Sequence, residues 1–115
     1  MPSAIFDRFD VLVVPFPFTD RAATKRRPAL VLSSAESFNR SAEHLVMAMI
    51  TSATDAAWPL DAAIKDLKSA GLNVECAVRF KLFTLDQRLV LRKVGTLGTN
   101  DQKRVTAAMK TLFLA

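Results

Sequence analysis

Cysteine, glycine, histidine and tyrosine are scarce or absent in this chain of 115 residues. With Cys76 as the one cysteine, no internal disulfide can form, and the single histidine leaves no plausible cluster of metal ligands. The three glycines are too few and too scattered for a phosphate-binding loop. We therefore expect no metal and no cofactor.

Long hydrophobic runs are also missing. No apolar run approaches the roughly 18 residues that a membrane span needs. The N-terminal stretch "MPSAIFDRFD" is interrupted by charge and does not fit a secretory signal. The length is that of one domain. We expect a single domain over residues 1–115 that acts in the cytoplasm, with no membrane partner.

Positive charge and apolar side chains are what the sequence has in quantity. Sixteen Lys and Arg residues outnumber eleven Asp and Glu residues, which gives a formal net charge of +5. Half of the residues are hydrophobic, a proportion typical of a folded domain. A basic domain favours a polyanionic partner, which can be a nucleic acid, an acidic protein or an anionic surface.

Short apolar runs predict a chain rich in strands. The predicted strands are residues 11–15, 29–33, 45–51, 58–64 and 75–82. Pro15 and Pro17 lack backbone donors, so the first strand should end there or run along a sheet edge, and residues 16–27 should form a loop. Residues 83–93 look like a short strand or turn followed by a mixed segment. Gly71 is available for a turn with positive φ.

The C-terminal segment has helical periodicity. Its apolar residues at i, i+3, i+4 and i+7 are Val105, Ala108, Met109 and Leu112. Thr99 and Gln102 have the spacing of a capping box, with Asn100 as a rival cap. The sequence thus predicts a mainly β fold with a C-terminal helix, in which a strongly bent sheet closes into a small barrel.

Three stretches resemble one known family. "DVLVVPFPFTD" with "KRRPALVLSS", then "LVMAMITS", then "AGLNVECAVRFKLFTLDQRLVLRKVGTL" are similar to motifs of the PemK/MazF toxins, in the same order, and the match runs from Asp10 to about Leu114. The resemblance implies an SH3-like barrel with a C-terminal helix, usually a homodimer. It implies cleavage of single-stranded RNA without metal or ribosome, leaving 2′,3′-cyclic phosphate and 5′-OH ends. It also implies inhibition by an antitoxin with an acidic, disordered tail.

The resemblance assigns catalysis to Arg27 and Thr51. Arg27 matches the arginine of the family's Arg-Pro motif, and a guanidinium is a planar fork suited to two phosphate oxygens. Pro28 favours extended backbone at Arg27, which would aim its side chain consistently. Thr51 matches a threonine at the end of the third strand, where a hydroxyl can donate to a phosphate oxygen; a strand-end Thr bonded to its own backbone is the alternative.

A wider set of side chains is predicted to contact RNA. Its members are cationic, hydroxyl-bearing or aromatic: Phe16, Phe18, Thr19, Arg21, Lys25, Arg26, Ser52, Arg79 and Lys81. The two phenylalanines suit stacking of unpaired bases, with core packing as the alternative. Trp58 is interpreted as a core or dimer-interface residue, with base stacking as the alternative.

Two departures from the family pattern leave the general base unassigned. Ala22 stands where some members have a carboxylate in the first loop, and Lys81 stands where others have an Asp two residues after the late-strand Arg. Arginine stays protonated in proteins and is a poor base. A non-catalytic RNA-binding barrel and a protein-interaction module that binds only an acidic partner therefore remain as alternatives.

Overall fold

The computed structural model describes residues 5–16, 25–53 and 56–115. Across these residues the strands are β1 (Asp10–Phe16), β2 (Lys25–Val31), β3 (His44–Ser52), β4 (Ala62–Ile64), β5 (Cys76–Asp86) and β6 (Arg92–Thr96). The α-helices are α1 (Arg40–Ala42), α2 (Leu67–Ala70) and the long C-terminal α3 (Thr99–Leu114). A π-helical turn (Ala35–Asn39) and a 3-10 turn (Gln87–Leu89) complete the order.

The six strands form one curled antiparallel sheet in the order β4-β5-β3-β2-β1-β6. β3 lies near the centre and pairs with β5 along its whole length, from His44 opposite Asp86 to Ser52 opposite Cys76. The predicted fold class, mainly β with a C-terminal helix in a small SH3-like barrel, is confirmed.

Alternation along the strands divides the buried side chains into two clusters, as the two faces of a sheet require. Val11, Leu30 and Val78 belong to the cluster beneath α3, whereas Leu12, Ala29 and Met47 belong to the cluster on the opposite face. Both clusters are almost completely buried. By the same alternation, the side chains of Phe16, Arg27 and Thr51, near the ends of β1, β2 and β3, lie on the face of the second cluster.

Helix α3 is held to the sheet by apolar packing and by one buried carboxylate. Val105 is buried, and Ala108 and Met109 pack against the first cluster. The Asp101 carboxylate accepts hydrogen bonds from the backbone N–H groups of Lys65 (3.0 Å) and Asp66 (2.9 Å). The predicted helical face is thus largely confirmed, although Leu112 is exposed.

The predicted capping box of α3 is wrong. Gly98 is the N-cap and makes no side-chain cap bond, so Thr99 and Asn100 are already inside the helix. The Gln102 side chain donates instead to the carbonyl of Leu97 at 2.8 Å. A capping box needs the hydroxyl residue one position earlier than it stands here.

Gly71 has the positive φ that the sequence suggested. It ends α2 with φ 72°, in the left-handed region. A Cβ at this position would meet the carbonyl oxygen of Val94 at 2.1 Å, so the glycine also permits α2 to approach β6 closely.

Three strand predictions are corrected by the structure. β2 begins at Lys25, so the three basic residues before Pro28 are strand and not loop. β6 was missed because Val94 is the only large apolar residue among its five, so the strand shows no apolar alternation. Only the end of the predicted strand 58–64 is strand, since Leu60 has φ 66° and the Asp61 N–H donates back to the Trp58 carbonyl.

The prolines of the first strand behave as expected where the structure describes them. β1 pairs with β6 only from Asp10 to Val13, whereas its pairing with β2 continues to Phe16. Pro15 therefore lies where β1 has lost its β6 neighbour, and its missing donor costs no ladder bond on that side. Pro17 lies outside the described residues.

No helix of the described ranges is long and apolar enough to cross a membrane.

Candidate functional site

The strand register brings the two predicted catalytic residues to one face of the sheet. Ala29 pairs with Met49; Arg27 stands two residues before Ala29 on β2 and Thr51 stands two residues after Met49 on β3, so alternation puts both side chains on the same face of the sheet. On the other side of β3, Met49 pairs with Arg79. Directly paired residues of antiparallel strands point to the same face. Arg27, Thr51 and Arg79 therefore lie on one face of three adjacent strands, although 24 and 28 positions separate them in the sequence.

These residues line a surface groove of about 500 Å³, hereafter the groove. Its lining consists of Phe16, Arg27, Pro28, Met49, Ile50, Thr51, Ser52, Val74, Cys76, Arg79 and Lys81. β3 crosses its middle, with β2 and β1 on one side and β5 on the other. The groove adjoins the second buried cluster on the same face of the sheet. Along β3, Met47 belongs to that cluster, and Met49 and Thr51, the next residues on this face, line the groove.

Arg27 forms one wall of the groove and is exposed. It pairs with Val14 across the β1–β2 ladder, and Phe16 pairs with Lys25, so Phe16 is the diagonal neighbour of Arg27. The Arg27 guanidinium carbon lies 5.8 Å from the centroid of the Phe16 ring. This contact is within cation–π range and steadies the guanidinium without neutralising its charge. No carboxylate among the described residues pairs with Arg27.

Thr51 and Ser52 supply hydroxyl groups in the middle of the groove. Thr51 pairs with Ala77 near the end of β3 and is half-buried, whereas Ser52 is exposed at the last position of the strand. A hydroxyl both donates and accepts, so either side chain can face a phosphate oxygen. The position of Thr51 is fixed by β3, which pairs with β2 on one side and with β5 on the other in its buried central part.

Arg79 forms the opposite wall and is tied to a carboxylate. Its Nη2 lies 3.0 Å from Asp61 Oδ2 and its Nε donates to Asp61 Oδ1 at 3.3 Å. The same guanidinium donates to the carbonyl of Ala56. Only 13% of the Arg79 side chain and 22% of the Asp61 side chain are exposed. Arg79 therefore contributes a compensated charge to the groove.

The ionisation of Asp61 reflects this pairing. Burial raises the pKa of the carboxyl, but the hydrogen bond from Arg79, the N–H of Trp58 and the positive charge of Arg79 together lower its pKa below the usual value. Asp61 is thus a carboxylate at neutral pH and acts as a hydrogen-bond acceptor.

Lys81 stands next to Arg79 on the same wall. The β3–β5 register shifts between the pairs Met49–Arg79 and Ala48–Leu82, so two extra residues bulge out of β5. Phe80 in this bulge is buried in the core, which leaves Lys81 exposed. Its Nζ lies 4.5 Å from the centroid of the Trp58 ring, within cation–π range.

Cys76 is a buried groove residue that the sequence interpretation did not include. Burial raises the pKa of its thiol, and its Sγ–H donates to the Val74 carbonyl at 3.1 Å. A protonated thiol is a poor nucleophile, so Cys76 contributes packing. Met49 and Val74 were also missed, because an apolar residue at a groove carries no sequence signal that separates it from a core residue.

Not every predicted contact residue reaches the groove. Lys25 shares the face of Phe16 but does not line the groove, and Arg26 pairs with Pro15 on the alternate face of β2. Thr19, Arg21, Phe18 and Ala22 lie outside the described residues. Trp58 is 42% exposed, so the interpretation of it as a core residue is wrong.

The groove is positively charged and offers several donors. Arg27, Arg79 and Lys81 bring three positive charges, and Asp61 behind Arg79 brings one negative charge. None of the described residues lining the groove is a carboxylate. Within residues 5–16, 25–53 and 56–115, no group of His, Cys, Asp and Glu side chains is arranged to hold a metal ion. The groove is suited to an anionic ligand that is bound by cations and hydroxyls.

Solved structures of similar fold come from bacterial toxins. A MazE–MazF complex from Deinococcus radiodurans superposes with a TM-score of 0.74 at 18% identity, over 97% of this chain and 98% of that chain. Toxin MazF-mt6 from Mycobacterium tuberculosis gives 0.68 at 19% identity, over 90% and 95%. An endoribonuclease from a mycobacterial species, solved with its cognate antitoxin, gives 0.72 at 15% identity, over 95% and 93%. At these identities the likeness shows the fold.

The sequence itself shows the family. A comparison with functionally curated proteins finds no significant match. The family model of the PemK-like, MazF-like toxins of type II toxin–antitoxin systems matches residues 7–113, which include the groove-lining residues of β1, β2, β3 and β5. This chain belongs to the family of PemK-like, MazF-like toxins of type II toxin–antitoxin systems.

Proposed function

We propose that this protein is a toxin endoribonuclease that cleaves single-stranded RNA without a metal ion and without the ribosome. The observation that carries the proposal is the placement of Arg27 and Thr51 on one face of neighbouring strands, in a groove with net positive charge. One solved relative of the same fold is an endoribonuclease, which supports the same activity here. We expect the protein to act in the cytoplasm, where its messenger RNA substrate lies.

The reaction needs charge stabilisation and proton transfer. The 2′-oxygen of a nucleotide attacks the adjacent phosphorus, the bond from phosphorus to the 5′-oxygen breaks, and a 2′,3′-cyclic phosphate and a 5′-OH result. One proton leaves the 2′-OH and one reaches the departing 5′-oxygen. Arg27 would pair with two non-bridging oxygens through its planar fork, and the Thr51 hydroxyl would donate to the same phosphate. Because guanidinium groups stay protonated, we assign Arg27 an electrostatic role.

Incubation of the pure protein with a long RNA in EDTA tests the activity. We expect discrete fragments whose ends, identified by mass spectrometry, carry a cyclic phosphate and a 5′-OH. EDTA binds the metal ions that contaminating metal-dependent nucleases need, and ribosomes are absent from the mixture. Intact RNA under all conditions would refute the proposed reaction.

A non-catalytic RNA-binding barrel is the second candidate. It is favoured by one observation, the lack of a carboxylate among the described groove residues, since a carboxylate is a common general base. The same experiment separates the possibilities. RNA that is retarded in a gel but uncut indicates a binding protein, and RNA that is neither cut nor retarded indicates a protein-interaction module.

We propose that an acidic antitoxin segment occupies the same groove as the RNA. Cations that attract phosphates also attract carboxylates, so an extended acidic peptide would pair with Arg27 and Lys81. Calorimetric titration of the cognate antitoxin peptide into protein saturated with an uncleavable RNA analogue tests this idea. Competition predicts a lower apparent affinity for the peptide, whereas an unchanged affinity would place the antitoxin elsewhere.

We further propose that the protein forms a homodimer. A separate apolar cleft of about 330 Å³ lies between α3 and the sheet, away from the cationic groove. The exposed side chains of Phe38, Leu82 and Phe113 contribute to its lining. Apolar surface of this kind marks interaction sites. Light scattering should give twice the chain mass of 12.7 kDa, and Phe113→Glu should shift the protein to the monomer.

A further inference from the structure

Trp58 is the only tryptophan of the chain and it is displayed on the surface. The residue is 42% exposed and lies in the segment 56–61, which precedes β4. Large aromatic side chains bury most of their area in an ordinary core. Packing in the core therefore does not account for the position of Trp58.

The segment around Trp58 is fixed by hydrogen bonds to one carboxylate. The Trp58 N–H donates to Asp61 Oδ2 at 3.0 Å, and the Asp61 N–H donates to the Trp58 carbonyl at 3.1 Å. Leu60, between them, takes a left-handed φ of 66°, a conformation that costs energy for a leucine. This closed turn presents Trp58 in a defined position.

Arg79 fastens that turn to the wall of the groove. Its guanidinium bonds both Asp61 oxygens and the carbonyl of Ala56, so it contacts the turn near both ends. Arg79 and Lys81 line the groove, and Lys81 Nζ stands 4.5 Å from the Trp58 ring centroid. The tryptophan therefore borders the groove at the β5 wall, directly beside a cation.

We propose that Trp58 is a stacking platform for one unpaired base of the RNA that lies in the groove, with Lys81 neutralising an adjacent phosphate. This inference rests on the proposed function, in which single-stranded RNA is the ligand. Every base has a π face, so an aromatic side chain beside a cationic groove is the usual arrangement for binding single strands. The fixed turn lowers the cost of binding because the ring is already in place.

The single tryptophan makes the contact directly measurable. The probe is a short 2′-O-methyl RNA, which lacks the nucleophilic 2′-OH and stays intact, with a fluorescein at one end. Fluorescein anisotropy reports binding, and intrinsic tryptophan fluorescence reports the surroundings of Trp58 alone. We expect the tryptophan emission to be quenched along the same binding curve as the anisotropy, because a stacked base quenches indole emission.

Substitutions then measure the contribution of the ring. Trp58→Ala should raise the Kd for this probe about 5- to 150-fold, the range found when an aromatic platform is removed, and Trp58→Phe should recover most of the affinity. Leu91→Ala is the matched control, since Leu91 is 46% exposed but does not line the groove, and its Kd should equal that of the wild type.

The outcomes separate the inference from the proposed function. If the probe binds by anisotropy while tryptophan emission and the Kd of Trp58→Ala stay unchanged, the stacking role is refuted and RNA binding stands. Quenching by the antitoxin peptide but not by the RNA would also refute it and assign Trp58 to a protein partner. If the wild type binds neither the probe nor a long RNA, both the inference and the proposed function fail.

Discussion

Arg27 and Arg79 lie on opposite walls of one groove, and they differ in exposure and in ion pairing. Arg27 is exposed, its guanidinium lies over the ring of Phe16, and it pairs with no carboxylate of the described residues. Arg79 is 13% exposed and is held by Asp61 and by the Ala56 carbonyl. The first arginine presents its charge to a ligand, and the second uses its charge to hold the polypeptide.

The difference shows that residue type does not decide the role of a cation in a groove. A guanidinium that is paired with a carboxylate attracts a phosphate less strongly. The carboxylate offsets its positive charge, and a ligand must compete with an existing ion pair. A guanidinium supported by an aromatic face keeps its full charge. We therefore expect a change at Arg27 to affect mainly the cleavage rate and a change at Arg79 to affect mainly the stability of the fold.

The largest effect is expected for Arg27→Ala. Removing a preorganised donor to the reacting phosphate should lower the cleavage rate by roughly 100- to 1000-fold. The free energy of unfolding should stay within about 0.5 kcal/mol of the wild-type value, because Arg27 is an exposed side chain. Cleavage of a long RNA and urea unfolding followed by circular dichroism measure the two quantities.

Arg40→Ala is the matched control for that prediction. Arg40 is also exposed, but it lies in α1, before the end of β3 that is opposite to Thr51. Its variant should cut RNA at the wild-type rate. If Arg27→Ala cuts within about threefold of the wild type, Arg27 is not the catalytic cation and the comparison of the two walls loses its basis.

The second prediction concerns the opposite wall. Asp61→Asn and Arg79→Ala should each lower the free energy of unfolding by about 1 to 3 kcal/mol, because each leaves a partly buried charged group without its partner. The double variant should lose less than the sum of the two single losses. Urea unfolding of the three variants measures the coupling, and strictly additive losses would show that the two side chains do not act as a pair.

Much of the fold could be predicted from the sequence, because regular alternation and helical spacing are local signals. The runs around Val11, Leu45 and Val78 are strands, and the spacing of Val105, Ala108 and Met109 gives α3. The start of β2 was missed because its exposed residues Lys25, Arg26 and Arg27 are all basic; β6 was missed because Val94 is its only large apolar residue and its partner β1 is distant in the sequence. Ladder hydrogen bonds do not depend on side-chain polarity.

The sequence predicted those residues of the site that a family motif marks individually, and it did not predict contacts that form only in the fold. Arg27 and Thr51 were found through the family motifs and do line the groove. The partnership of Arg79 with Asp61 was not, because it joins residues 18 positions apart, one of them in a turn that no periodic pattern marks. The segment around Trp58 was misread as strand because apolar residues alternate there, whereas hydrogen bonds between Trp58 and Asp61 close a turn.

The third prediction tests the strand between the walls. Thr51→Val removes the hydroxyl and keeps the β-branched shape that suits β3. The loss of a hydrogen bond from the hydroxyl to the anionic phosphate should lower the cleavage rate by roughly 10- to 100-fold. Single-turnover cleavage measures the chemical step, and a rate equal to that of the wild type would show that the Thr51 hydroxyl serves only its own strand.

The smallest effect is the expected change of unfolding free energy with pH, and it reports on the ion pair between Asp61 and Arg79. The pKa of Asp61 is lowered in the folded protein, so its ion pair stabilises the fold fully above the ordinary carboxyl pKa of about 3.9 and loses that effect as the pH falls through the folded-state pKa. Asp7 and Asp86 also have lowered pKa values, the first through backbone hydrogen bonds led by that from Ala35 and the second through Arg88, but both titrate equally in wild type and Asp61→Asn.

The difference in unfolding free energy between wild type and Asp61→Asn therefore reports Asp61 alone, since distant sites contribute additively. We expect it to be constant from about pH 7 to pH 5 and to shrink below about pH 4, where the free carboxyl in the unfolded chain takes up a proton before the folded one does. Urea unfolding at several pH values measures this difference. A difference that grows as the pH falls would mean that Asp61 is destabilised by its surroundings, and that Arg79 does not hold it as an ion pair.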